Sequence, residues 1–98
     1  VIEFPALHTG DLDAAGVRAL VADLEAHAER LQVLPKAAAK RFVLPETLPL
    51  QAATEGLLAG ELRGVQLRYV HEGQEWWDTL MAMGSSGFRI VRVAQGSA

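Results

Sequence analysis

Cysteine is absent from the chain, which removes disulfides, thiolate nucleophiles, iron–sulfur clusters and thiolate zinc sites. The same absence fits a reducing compartment, and a cytoplasmic location is expected on that ground. No apolar run approaches the roughly 18–20 residues that a membrane-spanning helix needs, so no membrane partner is expected. Basic residues do not predominate either. Nine Lys and Arg stand against twelve Asp and Glu, a net charge of −3. Such a balance has no general attraction for phosphate backbones or anionic lipid, and nucleic acid is not the expected partner. Aromatic residues make up only 6% of the chain, so its two tryptophans and one tyrosine carry weight. What is present is the composition of an ordinary folded domain, 50% apolar and 21% charged over 98 residues. Residues 1–98 are therefore read as a single small domain.

Residues 1–11 read as an extended segment, because Pro5 biases Phe4 away from helix. Residues 12–63 read as helical. From Leu12 to Val33, Val17, Leu20, Val21, Leu24, Ala28 and Leu31 recur at helical spacing, with Thr9, Asp11 or Asp13 available as the cap. Pro35 suits the first position of a short second helix ending near Phe42. Thr47 is placed to cap a third over Leu48–Leu62, with Gly64 as its stop. Gly56 and Gly60 weaken that helix but offer a smooth strip for close packing.

Residues 64–95 read as a three-stranded antiparallel meander. Val65–His71 alternates apolar and polar, Glu72-Gly73-Gln74 supplies one turn and Gly84-Ser85-Ser86-Gly87 the next. A two-residue first loop at Gly73-Gln74 and a four-residue second loop set His71 opposite Trp76, Leu67 opposite Leu80, and Leu80 opposite Val91. One face then carries Val65, Leu67, Tyr69, His71, Trp76, Asp78, Leu80, Ala82, Arg89, Val91 and Val93, and it is the natural core side. The other carries Arg68, Trp77, Thr79, Met81, Met83, Phe88, Ile90 and Arg92. Those eight are the candidate partner-binding residues, since Trp, Arg and Met are at home in binding surfaces. The choice rests on register, because a slip of one residue exchanges the faces. The competing expectation is that both tryptophans are core and that the second face is covered internally.

Chemistry is sparse. Tyr69, His71 and Asp78 share a face, but no nucleophile or oxyanion donor accompanies them, and Asp78 is better explained as accepting from Tyr69 or pairing with Arg89. His8, His27 and His71 lack ligand spacing, and Ser85 and Ser86 lie in an ordinary Gly-flanked turn. No catalytic residue, metal site or cofactor is expected. A helix–turn–helix drawn over Pro35–Leu62 would aim Glu55 and Glu61 at phosphates, which argues against it.

The expected fold is thus α+β, with two or three N-terminal helices packed on a C-terminal three-stranded meander. The expected function is a non-catalytic protein-interaction module of the accessory, regulator or inhibitor type. It would use the aromatic, Met and Arg face to bind another protein or a second copy as a homodimer. The alternative is a small-ligand or single-stranded nucleic-acid binder using the same face.

Overall fold

The computed structural model describes residues 7–37 and 47–97. Among these it contains β1 (Leu7–Leu12), α1 (Ala14–His27), β2 (Glu29–Ala37), α2 (Leu50–Leu58), β3 (Leu62–His71), β4 (Gln74–Ala82) and β5 (Phe88–Ser97), with a short 3₁₀ turn at Gly84–Ser86. All five strands join one antiparallel sheet in the order β1-β5-β4-β3-β2. The three-stranded meander is therefore corrected to a five-stranded sheet carrying two helices. The architecture is a small α+β domain, and its radius of gyration of 13.0 Å is that of a compact chain of this length.

The two additional strands come from segments with ambiguous periodicity. Residues 29–37 hold Leu31, Val33 and Pro35 at a spacing of two, yet Leu31 also continues the helical series from Leu24 and Ala28. The conflict is settled at Ala28, whose backbone is extended (φ −80°, ψ 143°), and at Arg30, which takes a left-handed φ of 54°. Pro35 thus lies in β2 and does not open a helix. Lys36 and Ala37 are likewise strand, and residues 38–42 of the expected second helix fall outside the described residues.

An edge strand tolerates proline, and β2 is an edge. Its outer side is further occupied where the Val33 carbonyl accepts from the Leu48 amide at 3.1 Å. These features, with the register irregularity between Glu29 and Gln32, blunt the edge against pairing with another strand.

β1 and β2 lie at opposite edges, so α1 must carry the chain across the sheet. Its fourteen residues are long enough, since ~21 Å of helix matches four strand spacings of ~4.8 Å. The Asp13 side chain caps α1 by accepting from the Gly16 amide at 2.7 Å. Val17, Val21 and Leu24 point from α1 into the core.

The helix α2 is shorter than the expected Leu48–Leu62, and its N-cap is Pro49 in place of Thr47. It stops at Gly60, not Gly64: Gly60 takes φ +80°, its amide bonds the Leu57 carbonyl, and the Glu61 amide bonds that of Gly56. Those two bonds make a Schellman stop. Leu62 opens β3, and its side chain lies against Gly56, where an added Cβ would come within 3.1 Å of it. Gly56 is thus used for close internal packing, while Gly60 terminates the helix. Arg18 of α1 ties the two helices together by donating to the Glu55 carboxylate at 2.9 and 3.2 Å, and these contacts hold the Glu55 carboxyl below its ordinary pKa.

Both helices pack on one face of the sheet. There Val33, Val65, Leu67, Tyr69, Trp76, Leu80 and Ile90 join Val17, Val21, Leu24, Ala53 and Leu57 in a single core cluster. Neither helix packs on the opposite face.

Candidate functional site

Two turns decide which side chains reach the face opposite the helices. The β3–β4 hairpin turns at Glu72-Gly73, both with positive φ (52° and 77°), which is the twist a two-residue hairpin prefers. Tyr69 therefore pairs with Trp76, Leu67 with Asp78 and Val65 with Leu80. This is two residues away from the expected pairing, and a shift of two leaves every face unchanged.

The β4–β5 connection behaves differently. Ala82 pairs with Phe88, so five residues, Met83–Gly87, form the loop where four were expected. The Met83 amide bonds the Gly87 carbonyl at 2.8 Å across it. One additional residue reverses the alternation of β5. Phe88, Ile90 and Arg92 consequently face the helices, and Arg89, Val91 and Val93 face outward. Ile90 is 4% exposed and Arg92 6%. These three expected surface residues are thus corrected to the core side.

Arg92 is buried because Asp78 lies directly opposite it on β4. Its Nε and Nη2 donate to the two Asp78 carboxylate oxygens at 2.9 and 2.8 Å, and the Tyr69 hydroxyl donates to the same carboxylate at 2.9 Å. Asp78 is fully buried and Tyr69 nearly so. Burial, and then the Asp78 charge, pushes the Tyr69 hydroxyl well above its ordinary pKa. Burial opposes the Arg92 charge, but the bonds and charge of Asp78 outweigh it and keep the guanidinium protonated. The trio leaves no buried side-chain polar atom without a partner among the described residues. Asp78 thus accepts from Tyr69, as one expectation had it, and its cation is Arg92 and not Arg89. Arg89 instead donates to Asp11 of β1 at 3.2 Å on the outer side. His71, at the hairpin end, is 3.6 Å from the Glu72 carboxylate, while Tyr69 and Asp78 are buried.

Arg68, Trp77, Thr79 and Met81 lie on the face opposite the helices. The Arg68 guanidinium stacks 4.0 Å from the Trp77 ring centroid, a cation–π contact. The Trp77 indole N–H donates to Glu75 at 2.9 Å, and Arg68 Nε donates to the Gln66 side-chain oxygen at 2.8 Å. Val91 pairs with Thr79 and Val93 with Trp77, which sets the two valines beside the indole and Met81. Met81 (37%) and Val93 (36%) are among the most exposed large apolar residues, with Met83 (38%) beyond the end of β4. Beyond β3, Gln32 and Leu34 of β2 continue the same face opposite Arg68 and Gln66.

Sequence reasoning missed Val91 and Val93. Both faces of β5 alternate apolar side chains with arginine, so its pattern alone does not choose between them. The available signal was Asp78. A carboxylate on an apolar strand face needs a buried cation, and only the observed register sets Arg92 directly opposite.

A core cavity of about 10 Å³ among Val17, Ala53, Thr54, Leu57 and Leu80 is water-sized and apolar. Among the described residues no group of three or more His, Asp or Glu is placed to hold a metal, and no helix is long and apolar enough to cross a membrane. No protein family, curated protein or solved structure matches this chain.

Proposed function

We propose that this domain is a non-catalytic protein-interaction module whose contact surface is the sheet face opposite the helices. The reading rests on one observation: Trp77, Met81, Val91 and Val93 are grouped on a sheet face that neither helix packs against. A cluster of large apolar side chains with a tryptophan and an arginine at its centre is a surface type enriched in binding energy. Arg68, held on the indole by Gln66, would fix orientation, while Met81 adapts to the contour of a partner. Stacking of unpaired bases on Trp77 is less well supported, because among the described residues one aromatic ring stands on this face and Glu75 lies against it.

Site-specific photo-crosslinking in cells tests the reading. A photoreactive phenylalanine analogue at Met81 should give discrete protein adducts, whereas the same group at Ala22, on the exposed side of α1, should not. Equal labelling at both positions, or none at Met81, would overturn it.

A further inference from the structure

We infer that the occupant of this face is a second copy of the same chain, packed sheet against sheet about a two-fold axis that runs along the strands between β4 and β5. The inference rests on the interaction-module reading and supplies its partner. Three observations carry it.

The first is size. Five strands at ~4.8 Å spacing, four of nine or ten residues and the edge strand β1 of six, at ~3.3 Å per residue, make a face roughly 24 Å wide and up to ~30 Å long, shorter along β1. That is at most about 700 Å², close to the ~800 Å² per partner of a stable interface.

The second is charge. The charged groups near the centre are already matched within the chain: Arg89 is paired with Asp11, and the Trp77 indole holds Arg68 on its ring and Glu75 on its N–H. A partner of strong single-sign charge finds no excess of the opposite sign here. A surface that is itself balanced meets no net repulsion here, and a two-fold interface supplies one because it sets a patch against its own image.

The third is shape. With the axis between β4 and β5, the outward residues of one strand lie over those of the other. Trp77 then covers Val93 of the second copy, Thr79 covers Val91, and Met81 lies along the aliphatic stem of Arg89. Large side chains meet small or extended ones, and aligned sheets pack in this way at about 30°. Extension of the sheet through its β2 edge is disfavoured by Pro35 and by the Leu48 amide on Val33.

Size-exclusion chromatography with light scattering, over a range of concentrations, tests the inference on the full chain. The expected mass is twice the 10.6 kDa of one chain, falling to one chain on dilution. Val93→Glu buries a charge twice near the axis and should raise the dissociation constant at least about a hundredfold, with an unchanged circular dichroism spectrum. Met81→Glu provides a second reading of the same surface if Val93→Glu does not fold. A wild-type chain that stays monomeric at every concentration, or folded variants that dimerise like the wild type, would overturn the dimer. Unfolding of both variants would overturn it as well, since the face would then be part of the core. A monomer that still gives Met81 adducts of another mass would remove the second copy and leave the interaction module, whereas absence of all adducts would remove both.

Discussion

Replacing Arg92 with methionine should be among the most damaging single changes the protein can suffer, although it substitutes an apolar residue in an apolar core. The Asp78 side chain is 0% exposed and that of Arg92 7%, and they meet in a two-pronged contact at 2.9 and 2.8 Å. Taking each ion out of water costs several kcal/mol. At an effective dielectric constant of about 20, unit charges ~4 Å apart attract by about 4 kcal/mol. The attraction offsets part of the two desolvation costs, and the hydrogen bonds within the trio offset more. Removing Arg92 leaves the desolvation of Asp78 without its compensating cation, with the Tyr69 hydroxyl still donating to it. Losses of about 3–5 kcal/mol follow from breaking such a pair, a large part of the roughly 5–15 kcal/mol that holds a domain together.

Urea unfolding followed by tryptophan fluorescence measures the effect. With a slope of about 2 kcal/mol per molar, the midpoint should fall by about 2 M. The double variant Arg92→Met, Asp78→Leu should recover most of that loss, because no orphaned charge remains. If the double variant proves as unstable as the single one, the penalty does not come from the buried carboxylate, and the electrostatic reasoning fails. A single variant costing less than about 1 kcal/mol, the scale of an exposed pair, would refute it equally.

Two further outcomes follow from the same core and its turns. The Tyr69 pKa is raised in the folded state above its ordinary value of 10.0, so its contribution to stability is full below about pH 10 and is lost as the pH rises through the folded pKa. Because the chain has one tyrosine, ultraviolet tyrosinate absorbance reads that side chain alone. It should appear together with alkaline unfolding, and tyrosinate forming in a still-folded protein near pH 10 would contradict the buried geometry. At the β4–β5 loop, Gly87 has φ +89° and ψ −133°, and an added Cβ would come within 2.8 Å of the Leu12 carbonyl oxygen. Gly87→Ala should therefore cost about 1–3 kcal/mol in urea unfolding. Gly60→Ala has positive φ but no atom within 4 Å, and it should be the milder of the two; the reverse order would count against the described loop.

Much of the local structure was legible in the residue order. Asp13 followed by apolar residues at helical spacing marks α1, and the Glu72-Gly73 region between alternating strands marks a hairpin. Trp76 and Trp77, adjacent on a strand, had to lie on opposite faces, and Trp76 is the buried one. These features depend on neighbours a few residues away, where backbone preference and side-chain period act directly.

Partners distant in sequence decided the remainder. Residues 29–37 satisfy both a helical and an extended pattern, and only β3, with Val33 against Leu67, makes the extended form the one that buries its apolar face. Residues 7–12 become a strand because β5 offers them an edge. The outward face of β5 was set by one residue of loop length between Ala82 and Phe88, together with the requirement that Asp78 find a cation. Strand propensity is nearly blind to both, since it cannot count a loop or see across a ladder. The candidate surface follows from that single register: Trp77 and Met81 were readable on β4, and Val91 and Val93 joined them only once Arg92 was drawn inside.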